Sequence, residues 1–262
     1  MKNLIVIILI SLSIFVGCDN EELLNPELNY KQKIVVRCQI SPEEFFSGVS
    51  VTRSLPLGVK YDSSLAIIND VVIYIRINGI QIVPLHYSGN GLYKPLYELK
   101  AHEGDYYELF GEWNYYNFYA ITKIPFKPVI NSSNYNQAEF YAEVNLNTNK
   151  DEVYSALWAV DIGTFTLAKD FYNVSIPQNT TLVIRSASYP VEYRTAIYDS
   201  RRYVQVYSFD KSFNDYFKTK DQSSDINNPY VQGSGNTVWN VIGKDVNGMF
   251  IGVNSSEFIP VN

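Results

Sequence analysis

The sequence has few of the residue types that carry most catalytic and metal-binding chemistry. It contains two cysteines and two histidines in 262 residues. His86 and His102 lie outside any metal-ligand spacing such as H-E-x-x-H, so structural histidines are the better interpretation. A G-x-S-x-G nucleophile motif is also missing, and its nearest approach, residues 233–235, is typical of a loop. We therefore expect a non-enzymatic protein with no metal and no cofactor.

Acidic residues offer two weaker alternatives. Glycoside cleavage needs two carboxyl groups about 5 to 9 Å apart, a separation that sequence spacing does not specify. The acids to consider for it are Asp151 with Glu152 and Glu103 with Asp105. Calcium-loop composition occurs at Asp221, Asp225 and Asn227, and at Asp245, Asn247 and Gly248. Both segments lack the acidic ladder and terminal Glu of an EF-hand, so turns are the favoured interpretation.

Basic stripes and long apolar runs are missing as well. The chain has 21 basic and 27 acidic residues, a net charge of −6, which argues against a nucleic-acid partner. The apolar run at residues 4–16 has 13 residues, whereas a membrane-spanning helix needs about 20. That run instead has the length of the apolar part of an export signal.

We therefore predict an export signal at residues 1–17. Lys2 supplies its positive start, the apolar run follows, and Gly17 is the small residue before the cut. The four residues Phe15, Val16, Gly17 and Cys18 resemble the lipobox of bacterial lipoproteins. This resemblance implies cleavage between Gly17 and Cys18, a diacylglyceryl group on the Cys18 thiol and a third acyl chain on its amine. The alternative is a plain secretory signal.

The acylated Cys18 would hold the protein on a membrane, because each buried methylene contributes about 0.8 kcal/mol and two chains already anchor stably. The acidic tract at residues 19–22 resembles the signal that exports Bacteroidota lipoproteins to the outer surface. We therefore expect an outer-membrane protein that faces the cell exterior. Two alternatives stay open: the tract is only a solvated leader, or Asp19 retains the protein in the inner membrane, as in enterobacteria.

Tyrosine and phenylalanine are abundant, at 22 and 14 residues, and such a composition favours strands. With Cys18 acylated, Cys38 is the only thiol left, and its alternating strand favours a small core residue. We predict an all-β protein: a small antiparallel sandwich, then a second β-rich domain with one short helix. The predicted divisions are the signal peptide at 1–17, an anchor and polar spacer at 18–29, the sandwich at 30–130 and the second domain at 131–262.

Local patterns place several of these elements. Alternation predicts a strand at residues 33–40, and the nearly unbroken apolar run at 71–77 predicts a central strand buried on both faces. Asn78 and Gly79 predict a hairpin turn after it. The polar residues 131–134 are the predicted domain boundary. Aromatic residues at helical spacing predict the helix at 210–220, with Asp210 as its N-cap.

The densest aromatic segment covers residues 113–119 and contains two asparagines. In a loop, such rings and amides would form a platform for a sugar or a protein partner. As two strand ends, the rings would instead alternate between core and surface, and the tyrosine-rich composition favours this second interpretation. The candidate binding residues are Trp113, Tyr115, Tyr116 and Tyr119.

The order of short motifs along the mature chain resembles a Bacteroidota lipoprotein family known as a domain of unknown function. The motifs are KIVV at 33–36, VTRSLP at 51–56, INDVVIY at 68–74, GLY at 91–93, SFD at 208–210, NPY at 228–230 and NGMFIG at 247–252. The resemblance implies a membrane-anchored protein with an immunoglobulin- or transthyretin-like N-terminal domain, often found beside TonB-dependent receptors.

From this resemblance we expect an accessory or binding subunit associated with a TonB-dependent transporter. A surface glycan-binding protein and an adhesin or other structural surface component are the two alternatives.

Overall fold

A computed structural model describes residues 30–56, 59–60, 62–220 and 237–261. The predicted signal peptide, Cys18 and the spacer lie outside these residues. So do the loop at 233–235 and the calcium-loop interpretation at residues 221–227.

Strands dominate the described residues, and the prediction of an all-β protein is confirmed. The strands are β1 Ile34–Ile40, β2 Val49–Arg53, β3 Val72–Ile77, β4 Gln81–Gly89, β5 Leu92–Lys94, β6 Tyr106–Trp113, β7 Tyr116–Lys123, β8 Val129–Asn136, β9 Tyr141–Asn147, β10 Glu152–Asp161, β11 Phe165–Leu167, β12 Thr181–Arg185, β13 Arg202–Asp210, β14 Ile242–Gly243, β15 Val246–Ser255 and β16 Ile259–Pro260. The helical segments are α1 Ser63–Ala66, α2 Ser212–Lys220, and 3-10 helices at Val191–Tyr193 and Ala196–Arg201. The sequence predicted α2 at 210–220 with Asp210 as its N-cap, but the helix begins at Ser212 and Asp210 is the last residue of β13.

Most strands belong to one large mixed sheet with the order β11-β10-β13-β15-β1-β2-β5-β4-β3-β6-β7-β14. Strand β4 pairs with β3 along residues 81–85 and with β5 along residues 86–89, so it passes from one layer of the first half to the other. The first hydrophobic core is enclosed between these layers. Ile34, Val36 and Ile40 of β1 lie in it and are at most 1% exposed, as their alternation predicts.

The prediction that residues 71–77 are buried on both faces is wrong. Strand β3 is central, since it pairs with β4 and β6, but its burial alternates along the strand. Ile73 and Ile75 face the core, whereas Val72 is 70% exposed on the other face. The apolar run at residues 71–77 therefore combines two sets of side chains, which alternate along the strand. One set fills the core, and the other lies on a surface.

The strand that is buried on both faces is β10. Its residues Tyr154 and Trp158 pack towards a second, three-stranded sheet with the order β12-β9-β8. On its other side, Val153 packs in a cluster with Phe209 of β13 and Phe213 of α2. Helix α2 thus covers one side of the large sheet, with the Phe209 and Phe213 rings stacked at 4.1 Å.

The polar residues 131–134 lie within strand β8, which pairs with β9 along almost its whole length. Strand β15, near the C-terminal end, joins the two halves, because its first part pairs in parallel with β1 and its last part pairs with β13. Phe250 of β15 is fully buried in the first core. The division of the chain after residue 130 stays a prediction, and the first core also uses residues from beyond it.

Candidate functional site

The aromatic segment at residues 113–119 forms the hairpin between β6 and β7. Asn114, with a φ of 52°, and Tyr115 make the turn. Trp113 and Tyr116 lie opposite each other at the strand ends, and their rings stack with centroids 5.9 Å apart. Both pack against the first core. The Trp113 indole Nε1–H also donates to Asp70 Oδ1 at 2.7 Å, so Trp113 is tied into the fold.

The four predicted binding residues therefore do not form one platform. Trp113 and Tyr116 lie at the rim of the core, and Tyr115 is 98% exposed at the tip of the turn. Tyr119 lies on the opposite side of β7 from the buried Phe118. The physical reason is the two-residue period of a strand, which sends neighbouring rings to opposite faces.

Tyr119 belongs to a row of rings on the solvent side of the first half, which we call the outer face. In the register of the strands, Tyr74 of β3 lies opposite Phe110 of β6, and Phe110 lies opposite Tyr119 of β7. The Tyr74 and Phe110 rings stack at 4.9 Å with planes 12° apart. The Phe110 and Tyr119 rings are 5.0 Å apart and tilted by 56°. Cross-strand neighbours on one face interact in this way.

A concave trough of about 490 Å³ runs beside this row. Tyr74, Phe110 and Tyr119 form its apolar wall, and the other side carries Glu112 and Asn117. These two polar residues lie directly opposite each other on β6 and β7, and both are exposed. Volumes of about 300 to 1,000 Å³, an apolar lining and a few polar groups are typical of ligand pockets.

Neither Glu112 nor Asn117 has a side-chain hydrogen bond to any residue that the structure describes. A carboxylate accepts hydrogen bonds only, whereas an amide both donates and accepts. The trough therefore pairs an apolar wall with a donor and several acceptors that have no partner within the described chain. At its ends, Val72 and Ile242 are 70% and 68% exposed.

An ion pair next to the trough fixes one end of Tyr119. Arg76 donates two hydrogen bonds to the Glu108 carboxylate, both at 2.7 Å, and the Tyr119 hydroxyl donates to Glu108 Oε1 at 3.1 Å. These contacts, Arg76 first, lower the pKa of Glu108 below its ordinary value. Desolvation, with the Glu108 hydrogen bond second, raises the pKa of Tyr119. The Arg76 guanidinium also lies over the Phe110 ring at 5.0 Å, so the wall of the trough is preorganised.

Sequence reasoning identified Tyr119 and included Asn117 among the amides of the aromatic segment, but it missed Tyr74, Phe110 and Glu112. These residues are separated by up to 45 positions, and only the pairing of β3, β6 and β7 brings them together. A partial signal was present, because Tyr74 and Arg76 alternate with Ile73, Ile75 and Ile77. That alternation is typical of a strand with one exposed face.

The other predicted residues have structural surroundings. Cys38 is buried and free, and burial raises the pKa of its thiol, which agrees with the prediction of a core residue. His86 and His102 are both exposed. Across the described ranges, no group of three or more His, Cys, Asp or Glu residues is arranged to hold a metal ion. Asp245 forms an ion pair with Lys31 at 2.7 Å.

Of the acids considered for glycoside cleavage, Asp151 forms an ion pair with Lys211 at 3.7 Å, whereas Glu152 and Glu103 are engaged with the backbone and with neutral side chains. Glu152 is 2% exposed and accepts hydrogen bonds from Phe126 N–H, the Tyr154 hydroxyl and the Asn149 amide. Glu103 accepts from Lys127 N–H at 3.1 Å and from Asn254 Nδ2 at 2.8 Å. Both carboxylates thereby tie strands and loops together.

No protein-family model matches the chain, and no curated protein matches it. In the part of the chain that the structure describes, every helix is too short or too polar to span a membrane.

Proposed function

We propose that this protein is a non-enzymatic surface protein that binds a carbohydrate in the trough of the outer face. The observation that carries the proposal is the trough itself, with three rings from adjacent strands on one side and the Glu112–Asn117 pair on the other. Glycan binding was the second of the three functions that the sequence left open, and the trough supports it best.

The chemistry of the trough suits a sugar because a sugar ring carries both C–H surfaces and hydroxyl groups. Its C–H surface would pack on the apolar wall of Tyr74, Phe110 and Tyr119, where aromatic side chains bury a large area. Its hydroxyls would donate to the Glu112 carboxylate and exchange hydrogen bonds with the Asn117 amide.

The proposal is compatible with the predicted location of the protein at the outer membrane. An acylated Cys18 would hold the folded part at the outer membrane with the trough exposed to glycans outside the cell. Association with a TonB-dependent transporter stays a prediction that derives from the family resemblance alone. It is compatible with glycan capture, because a bound sugar could be passed to a neighbouring transporter.

The test is a glycan array probed with the folded protein and with a variant that fills the trough. Val72→Arg places a long side chain at the end of the trough, on an exposed position where the fold tolerates it. Its matched control is Val183→Arg, at another exposed valine, 53% exposed, on β12. We expect the wild type and Val183→Arg to retain the same glycans and Val72→Arg to lose them.

The two polar residues of the trough, Glu112 and Asn117, allow a second test of the proposal. Glu112→Gln and Asn117→Ala should each weaken binding of the same glycan without changing the melting temperature, since neither side chain supports the fold. Retention of one glycan by all three trough variants at wild-type strength would show that the trough is not the site.

A further inference from the structure

A second concave site lies in the other half of the molecule, where the β8–β9 hairpin meets the two 3-10 helices. Its volume is about 470 Å³, and we call it the arginine pocket. Two guanidinium groups line it, those of Arg194 and Arg202, together with Tyr135, Gln137 and Phe140. None of these residues lines the trough of the outer face.

Arg202 is a buried and rigid cation. It is 3% exposed, and its Nη1 donates to Asp199 Oδ1 at 2.7 Å. Its Nε and Nη2 donate to the carbonyl oxygens of Tyr193 and Thr195, each at 3.1 Å. The guanidinium carbon lies 4.2 Å from the centre of the Tyr135 ring. A guanidinium has five N–H donors, so the described chain leaves two of the five without a partner.

Arg194 is held at one end and free at the other. Its Nε donates to the Tyr189 carbonyl at 2.6 Å, and its guanidinium lies over the Phe140 ring at 4.3 Å. Its two terminal nitrogens make no hydrogen bond to any described residue. These contacts fix the side chain and leave its two terminal nitrogens free. Those nitrogens are the part of a guanidinium that can bind a carboxylate bidentately.

The charge of the pocket favours an anion. Arg194 and Arg202 supply two positive charges, and Asp199, the one acid that lines the pocket, supplies one negative charge. The net charge of +1 stands out in a chain whose overall charge is −6. A carboxylate neutralises this charge, and a guanidinium fork can hold it through two parallel hydrogen bonds.

Neutral hydrogen-bonding groups complete the lining. The Tyr135 hydroxyl is buried without a hydrogen-bond partner among the described residues, an unusual state for a buried polar atom. Gln137 and Ser200 also line the pocket. The volume is within the range of pockets for small organic ligands and leaves room for more than the carboxylate itself.

We propose that the arginine pocket binds a small organic anion through its carboxylate, with Arg194 as the recognition residue and Arg202 as the fixed cation beneath it. Gln137 and Ser200 then contact the uncharged part of the ligand. This site is independent of the trough and of the proposed carbohydrate function.

The experiment is calorimetric titration with three probes at constant ionic strength: glucuronate, glucose and inorganic phosphate. Glucuronate and glucose share a sugar ring and differ in the carboxylate. We expect saturable binding of glucuronate and none of glucose. Absence of saturable binding of glucuronate up to about 10 mM would overturn the proposal. Preference for phosphate over glucuronate would overturn the assignment of a carboxylate ligand.

Variants locate the binding. Arg194→Gln should weaken glucuronate binding at least about tenfold, and Arg194→Lys, which keeps the charge but not the fork, should weaken it less. The matched control is Arg185→Gln, because Arg185 also lies over a ring, that of Tyr141 at 4.8 Å, but outside the pocket. Equal loss in Arg185→Gln and Arg194→Gln would contradict the proposal.

Two further controls distinguish a loss of binding in the arginine pocket from misfolding of the variant and from binding in the trough. The unliganded melting temperature of Arg194→Gln shows whether the variant is folded. Val72→Arg, which fills the trough, should bind glucuronate as the wild type does. If Val72→Arg abolishes glucuronate binding, the anion occupies the trough and the arginine pocket is not its site.

Discussion

The ring of Phe118 lies directly over the backbone of Gly111, its partner on the neighbouring strand. A Cβ atom at position 111 would fall 2.0 Å from Cζ of Phe118. Phe118 is 3% exposed in the first core, so its ring has little room to move aside. This glycine is therefore required by packing, and both residues are among those that line the trough.

Gly111→Ala should destabilise the protein by about 1 to 3 kcal/mol, the usual cost of forcing extra atoms into a packed core. Urea unfolding measures this difference. Phe118→Leu provides the matched test, because a smaller side chain leaves space for the new methyl group. In the double variant, Gly111→Ala should cost clearly less than it does alone. Additive costs would show that the Phe118 ring is not the obstacle.

The sequence predicted those parts of the fold that depend on residues close together along the chain, and not those that depend on residues far apart along it. Strand β1 was predicted because Ile34, Val36, Cys38 and Ile40 alternate within one short segment. The turn after β3 was predicted because Asn78 and Gly79 tolerate positive φ, and they have φ values of 51° and 71°. The parallel pairing of β1 with β15 was not predictable, because more than 200 residues separate the two strands.

The candidate site illustrates the same limit. Tyr119 was identified as a binding residue by its place in an aromatic segment, but its neighbours in sequence lie on other surfaces. Its neighbours in space, Phe110 and Tyr74, follow from the register of three strands. A shift of one residue in that register would move every ring of one strand to the core face. Composition alone therefore identified the type of residue but not which aromatic residues lie next to one another in the folded protein.

The ion pair of Glu108 and Arg76 predicts a pH dependence. The pKa of Glu108 is lowered in the folded protein, so its contribution to stability is present above its unfolded pKa and is lost as pH falls through the folded value. The stability difference between the wild type and Glu108→Gln should therefore be largest near neutral pH and shrink below about pH 4.5. Urea unfolding across this pH range measures it.

An exposed ion pair serves as the control for this prediction. Glu257 pairs with Lys127 at 2.6 Å, but its side chain is 83% exposed. Because solvent screens such pairs, Glu257→Gln should change stability much less than Glu108→Gln at neutral pH. If the two variants behave alike, the Glu108 carboxylate does not have the role that its contacts indicate.

Asp210 should matter more than a similar residue, Asp62, at the other helix. Both carboxylates accept from the backbone N–H and the hydroxyl of the serine two residues ahead, at 2.9 and 2.7 Å. Asp210 also accepts from the backbone N–H of Lys123 on β7 at 3.0 Å, so it links α2 to the first half. Asp210→Ala should cost about 1 to 3 kcal/mol, because a partly buried N–H loses its acceptor.

The contrast with Asp62→Ala tests this explanation by thermal unfolding. Asp62 supports only the four-residue helix α1 at an exposed site, so its replacement should lower the melting temperature clearly less. Equal shifts in the two variants would mean that the link to Lys123 contributes nothing and that both residues act only as caps.

The lipid anchor predicts a change in fractionation. If Cys18 carries acyl chains, the wild-type protein should remain with the membranes after salt washing and enter the detergent phase. Once residues 1–17 are removed, Cys18→Ser should appear in the soluble fraction, because it then carries neither acyl chains nor the apolar run at residues 4–16. Mass spectrometry of the native N-terminal peptide provides the direct measurement. A mature terminus without fatty acid would contradict the anchor, whatever the outcome for the trough.

Cys38 should be inert in the folded protein. It is buried and its thiol pKa is raised by desolvation, and only the thiolate reacts efficiently with disulfide reagents. With a Cys18→Ser variant as the sample, Cys38 is the single thiol, so the reaction with Ellman's reagent reports on it alone. We expect no release of product under native conditions and one equivalent in denaturant. Rapid reaction without denaturant would show that strand β1 opens, and with it the core that positions the trough.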